Sequence, residues 1–226
     1  MGAEEVRHEF EPHGPRSLMP QDAIQVPAAH YDSLSYDSRE RWMSYWHQAH
    51  EVLQVRPHDC LEIGVGNGTV SRYLRASGVP VTSADFDEAL KPDVVADVRD
   101  LPFEDRAFDV VLCAEVLEHL PFDDVPRALH EVARVTRRRA VFSIPIFTRA
   151  FWLSVRLPPF RALRWTWHLP ARRRFSFDGQ HYWEMGARNY PWRVVLATFE
   201  RSFVLQSQYV VPENPYHYFL IGEPRL

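Results

Sequence analysis

The chain of 226 residues reads as an α/β protein with a parallel sheet covered by helices on both faces, and three observations carry that reading. From Asp59 onward, short apolar runs alternate with segments of helical period. The first run ends in a glycine turn, Gly64-Val65-Gly66-Asn67-Gly68. The last two runs are joined by Pro212 to Tyr216 alone, too few residues for a helical crossover, so the terminal pair is expected to be an antiparallel hairpin.

The elements follow in order. Residues 1–37, mixing Pro and charge without a sustained period, are expected to form an N-terminal arm or flap, and 38–226 a single domain. Between Ser38 and Val55, Trp42, Tyr45, Trp46, Ala49, Val52 and Leu53 recur at three- and four-residue spacing, predicting a helix with an aromatic-rich core face. Asp59 to Ile63 is the first strand, a helix runs to Ala76, and Val79 to Ala84 is the second strand. Asp93 to Val98, Phe108 to Ala114 and Ala140 to Ile144 supply three more, with a helix from Asp124 to Thr136. Pro191 to Phe203 is a helix, and Val204 to Val211 and His217 to Ile221 are the closing strands. Residues 146–190 interrupt this alternation and are expected to form a helical cap or lid.

Composition narrows the class. With 46% hydrophobic and 25% charged residues, global disorder and a disulfide scaffold are excluded. Cys60 and Cys113 sit inside apolar runs, as buried reduced thiols would. No signal-like h-region and no long apolar span is found, so a cytoplasmic location is expected. The net charge of −4 conceals ten arginines and no Asp or Glu between Arg137 and Arg174.

The glycine turn lets the backbone reverse at a strand end with a helix N-terminus behind it. A dinucleotide fingerprint needs a third glycine where Thr69 stands, which disfavours a nucleotide-dependent reductase. Glu62 precedes the turn, and the next strands end at Asp85, Asp97 and Glu115. Carboxylates at four successive strand ends suit a cationic, hydroxyl-bearing ligand without phosphate.

The segments LEIGVGNG, Asp85, ADVRDLPF and FDVVLCAEVLEHL, with the terminal helix and hairpin, resemble the class I S-adenosylmethionine-dependent methyltransferases, in particular the small-molecule (methyltransferase type 11-like) group. The resemblance implies a Rossmann-like, doubly wound, seven-stranded sheet with an antiparallel last strand. It implies S-adenosyl-L-methionine as cofactor, with Gly64, Gly66 and Gly68 under its methionine part and Glu62 nearby. Asp85 with Phe86 would sit at the ribose, Asp97 and Val98 at the adenine, and Glu115 at the methionine end.

Methyl transfer asks mainly for in-line positioning and, where the acceptor carries a proton, a base. His119 and His181 are the candidates, each with an alternative as a packing or structural residue. No metal set is expected, because His168, His181 and His217 lie far apart with no compact ligand spacing. The arginines between 146 and 174 interleave with Trp, Phe and Leu. They fit a solvated cap paired with the acidic core, an anion-binding acceptor site, or a peripheral membrane contact. Nucleic acid is disfavoured, since Ala114-Glu115-Val116-Leu117 stands where a base-methylating motif would be. Gly179-Gln180-His181-Tyr182-Trp183-Glu184 and Val211 to His217 resemble segments of methyltransferases of glycan or secondary-metabolite assembly. The expected activity is therefore methylation, chiefly O-methylation, of a sugar or secondary-metabolite intermediate. A lipid-linked acceptor at a membrane surface and a non-catalytic accessory protein of the same fold are the alternatives.

Overall fold

In the computed structural model the elements are α1 (Arg39–Leu53), β1 (Cys60–Ile63), α2 (Thr69–Ala76), β2 (Val81–Asp85), β3 (Val94–Val95), β4 (Phe108–Ala114), α3 (Val125–Val135), β5 (Thr136–Pro145), β6 (Thr148–Val155), β7 (Leu163–Pro170), α4 (Trp192–Ser202), β8 (Phe203–Val211) and β9 (Asn214–Pro224). The structure describes residues 24, 26–32, 36–155, 158, 163–170 and 173–225. Most of the expected N-terminal arm thus lies outside the described residues.

Seven strands form one sheet in the order β3-β2-β1-β4-β5-β9-β8, with β9 antiparallel to both of its neighbours. This is the Rossmann-like, doubly wound α/β arrangement. It follows from the residues. Along β4, Val110 and Leu112 point into a core shared with Ala49 and Val52 of α1 and with Val70 and Leu74 of α2. Val111 and Cys113 point the other way, toward Ala128, Leu129 and Val132 of α3 and Val195 and Phe199 of α4. Side chains alternate across a strand, so a strand buried on both faces is apolar along its buried length, as β4 is from Val110 to Cys113. Cys60 and Cys113 are free and buried, and burial pushes both thiols well up.

Four expectations are corrected. The insertion holds no helical cap among its described residues; it begins with the antiparallel hairpin β6–β7, in which Phe151 faces Trp167 and Leu153 faces Trp165. Leu163, Trp165, Trp167 and Leu169 alternate with polar or smaller residues, and Pro158 and Pro159 interrupt the chain between the runs, so the period is two. The predicted face of α1 departs from the core only at its tryptophans: Ala49 and Val52 are buried and Tyr45 and Leu53 pack on the same core, but Trp42 and Trp46 are exposed, and Ser44 and Gln48 are buried instead. The third strand shortens to Val94–Val95, leaving Asp97 in a turn bridged to Asp100. The fifth strand begins earlier, at Thr136, and takes in three of the ten arginines.

Those three lie at the sheet edge opposite the glycine turn. Arg137 donates to both oxygens of Asp59 at 2.7 Å and to Asp109 at 2.9 Å, and Arg139 reaches Glu51. Burial alone would raise the Asp109 carboxyl, but the His58 N–H and Arg137 outweigh it and hold it below its ordinary range. A depressed carboxyl contributes stability above its unfolded pKa and loses it as pH falls through the folded one. Arg137→Met should therefore cost about 1–3 kcal/mol at pH 7, leaving Asp109 buried and underpaired. Its acid unfolding, followed by circular dichroism, should begin at higher pH than in the parent, and urea titration gives the neutral-pH difference.

Candidate active site

The cleft opens where β1 and β4 end side by side. Gly64, Gly66 and Gly68 all have positive φ, at 82°, 52° and 67°, conformations that side chains other than glycine seldom adopt. A Cβ on Gly64 would overlap Val116 Cγ2 from the loop after β4. Gly68 caps α2, whose N-terminus faces the turn.

Glu62, Asp85, Phe86, Asp97, Val98, Glu115 and His119 all line this cleft together with Gly64 and Gly66. Gly68 stands just behind, in an adjoining hollow. Asp85 accepts the Val65 N–H at 2.7 Å and the Asp87 N–H at 2.9 Å, so backbone alone fixes its carboxylate, which burial raises above its ordinary range. Glu62 is 4% exposed, its Oε2 is buried without a partner, and burial raises its pKa to about 7. Asp97 differs from the others in that Arg99 engages both of its oxygens, at 2.6–3.0 Å. Burial raises that carboxyl, the Arg99 bonds outweigh it, and the net shift is downward. Phe86 is 45% exposed at the rim and Val98 is buried.

Glu115 is held in a left-handed conformation, φ 54°, from two sides. Its N–H donates to the Ser143 carbonyl at 2.9 Å and its Oε1 accepts the Ser143 hydroxyl at 2.7 Å. Its Oε2 lies 3.4 Å from Nε2 of His217, a buried histidine whose pKa burial lowers. His119 lines the cleft, and His181 packs edge-on behind it with ring centroids 5.1 Å apart. His119 Nδ1 lies 3.1 Å from the Gln180 carbonyl, and His181 Nδ1 lies 3.0 Å from Glu184. Burial and then the His181 ring lower the His119 pKa.

Sequence reasoning missed Tyr31, Tyr36, Arg41, Tyr45 and His217. Tyr31 and Tyr36 pack edge-to-face at 5.0 Å against Gly66, and Arg41 sits 4.0 Å over the Tyr36 ring. The aromatic spacing that marked α1 was the available signal, but Tyr45 turns to the cleft while Trp42 and Trp46 turn to solvent. His217 is one of a run of apolar strand residues, and nothing local sets it apart.

Comparison with known proteins agrees with this geometry. Residues 61–144 match the family described as a methyltransferase domain. The demethylmenaquinone methyltransferase of Thermotoga maritima is 32% identical over 100 residues, 39% of this chain and 43% of its own. The ubiquinone biosynthesis O-methyltransferase of Pseudomonas aeruginosa is 36% identical over 90 residues, 33% of this chain and 39% of its own. The chain thus spans about two fifths of the length of these relatives. The 1,6-didemethyltoxoflavin-N1-methyltransferase of Burkholderia thailandensis, solved with S-adenosylhomocysteine, superposes with a TM-score of 0.54 at 16% identity, covering 88% of this chain and 87% of that one.

Fold and site together define a Rossmann-like methyltransferase domain. Over residues 61–144 it matches the methyltransferase-domain family, and its fold is that of the S-adenosylmethionine-dependent methyltransferases that superpose on it. S-adenosylmethionine is the cofactor of that class, and the residues present fit it: a sulfonium and an ammonium suit the unpartnered oxygen of Glu62, and two ribose hydroxyls suit the fixed carboxylate of Asp85.

Two predictions follow from this geometry. Gly64→Ala should abolish S-adenosylmethionine binding in calorimetry and lower the melting temperature, and adding Val116→Ala should restore part of the stability but not the φ. Glu62 must ionise to receive a cation, so cofactor affinity should rise about tenfold per pH unit up to about 7 and level off above it. Glu62→Gln should flatten that slope. Because the folded pKa is raised, the unliganded protein should lose stability as pH climbs through about 7, and the Gln variant should not.

Proposed function

We propose that the protein transfers a methyl group from S-adenosylmethionine to a hydroxyl of a polar small molecule, such as a sugar or a secondary-metabolite intermediate. The observation that carries the reading is the set of carboxylates without a phosphate-binding fingerprint around the glycine turn, with His119 at the wall of the same cleft and His181 packed against it. The cofactor supplies an activated carbon on sulfur. Glu62 and Asp85 fix its charged and hydroxyl ends, Glu115 borders the methyl end, and His119, backed by His181, stands where an acceptor hydroxyl must lose its proton. Oxygen as the acceptor atom is supported by that pair and by the O-methyltransferase among the relatives.

A second reading, an apolar or lipid-linked acceptor reached at a membrane surface, is favoured by one observation. Phe151, Leu153, Trp167 and Leu169 of β6–β7 are each about half exposed, in a segment whose sequence also carries arginines. No helix among the described residues is long and apolar enough to cross a membrane. Flotation with anionic vesicles at low salt decides this reading, and absence of binding removes it.

The main reading is tested with methyl-labelled S-adenosylmethionine and a panel of hydroxylated acceptors. Label should appear in an ether that survives mild acid and base. His181→Ala should reduce turnover about a hundredfold or more with cofactor affinity preserved. Failure of the parent protein to bind the cofactor in calorimetry would overturn the proposal.

A further inference from the structure

The mechanism leaves one buried group unused. Glu118 is fully buried, and neither carboxylate oxygen is reached by a hydrogen-bond donor, its polar neighbour being the Glu115 carboxylate. Burial, and after it the neighbouring Glu115 carboxylate, push its proton affinity well up. An acid in that condition is costly unless a cation comes to it. Two histidines stand beside it: Glu118, His119 and His181 each present a ligand atom, and these atoms all lie within 4.8 Å of one another.

The hydrogen bonds of both histidines also fix their tautomers. His119 Nδ1 faces a backbone carbonyl and His181 Nδ1 faces the Glu184 carboxylate, which in turn accepts the Tyr216 hydroxyl. Both partners are acceptors, so each ring carries its proton on Nδ1 and its lone pair on Nε2. A second group that fixes the tautomer and aims the other nitrogen is the usual companion of a metal-binding histidine. The contact survives its 61-residue separation because the Tyr182 N–H donates to the Glu118 carbonyl at 2.8 Å and Trp183 Nε1 donates to the Leu117 carbonyl at 3.1 Å.

We propose that Glu118, His119 and His181 bind a divalent first-row transition ion, such as Zn²⁺ or Mn²⁺, at the acceptor side of the cleft. Two imidazoles and one carboxylate leave coordination positions open and suit these ions better than Mg²⁺, which prefers oxygen alone. Bonds of about 2.1 Å put ligand atoms roughly 3–4 Å apart, so a side-chain adjustment of under about 1 Å closes the site. The neighbouring set Asp178, His181 and Glu184 fits less well. Asp178 already accepts the backbone N–H groups of Gln180 and His181, and Glu184 already orients the ring.

The ion's role in catalysis rests on the methyl-transfer reading; its binding does not. With the ion bound, His119 and His181 would hold it in place of taking the proton themselves, and an acceptor hydroxyl on the ion would release its proton to water near neutral pH. The oxygen's electron pair then forms the bond to the methyl carbon while the carbon–sulfur bond breaks and its pair stays on sulfur.

The test uses the full chain, stripped with a chelator and dialysed. Titration with ZnCl₂ or MnCl₂ in a calorimeter should show one ion per chain, a matching rise in melting temperature, and much weaker binding of MgCl₂. Glu118→Gln, His119→Gln and His181→Gln should each weaken binding about a hundredfold or more; Glu184→Gln should weaken it about tenfold to a hundredfold, and Asp178→Asn should leave it unchanged. Circular dichroism confirms that each variant is folded, and where one is not, the other two ligand variants decide. No saturable binding by the parent protein, or unaltered binding by the folded ligand variants, overturns the proposal. S-adenosylmethionine titration of the same stripped protein reads the methyl-transfer proposal separately.

Discussion

The cleft depends on one close approach, the absence of a side chain at Gly64 against Val116. β1 is the strand on which the sheet's connectivity turns, with β2 on one side and β4 on the other, and open α/β sheets bind ligands where the strand ends diverge in this way. The Gly64 N–H bonds the Ala84 carbonyl at 2.9 Å, tying the turn to β2, while its bare Cα lets the loop after β4 settle onto it. That contact brings Glu115 and His119 to the cleft that holds Glu62. A side chain at position 64 would part the two loops and separate Glu62 from Glu115 and His119.

Electrostatics gives the sheet a direction. At its lower edge Asp59 and Asp109 are matched by Arg137, and Glu51 is matched by Arg139. At its upper edge Glu62 has a buried oxygen without a partner and Asp85 is held by backbone N–H groups. The difference is functional: a carboxylate already neutralised by a guanidinium has little left to offer a cationic ligand, whereas one fixed by N–H donors keeps its charge and its geometry. Asp97, engaged by Arg99, lies between these cases, lining the cleft with its charge already matched.

Much of this was legible in the sequence, and the failures have identifiable causes. β1, β4, α2 and the terminal hairpin announce themselves by continuous apolar runs, a glycine turn and a short connection, all local signals. Phe151 to Leu169 misled because an expected lid outweighed a plain alternation broken by two prolines. Trp42 and Trp46 misled because helical spacing identifies a face without saying which way it points. The arginine run divided: Arg137 to Arg139 are structural partners of acids 28 to 88 positions away, beyond the reach of any local pattern. The Glu118, His119 and His181 cluster was hidden for the same reason, since two of its members adjoin and the third arrives from another segment.

The two halves of the site have different foundations. The match to the methyltransferase-domain family spans 61–144, the part that shapes the turn and the strand-end carboxylates. Part of the cleft wall comes from outside that span, from Tyr36, Tyr45 and His217, with His181 packed against His119. It is tied to the core by few but firm contacts: Trp183 is fully buried against Phe122, and the Phe147 N–H donates to the Met185 carbonyl at 2.8 Å. An anchor of that kind fixes the path of the backbone from Gln180 to Met185 while leaving neighbouring side chains at the cleft open to change at small cost to the core. The strand-end carboxylates and the wall beside them are thus built by different parts of the chain, and a substitution at the wall can alter the cleft without touching the glycine turn.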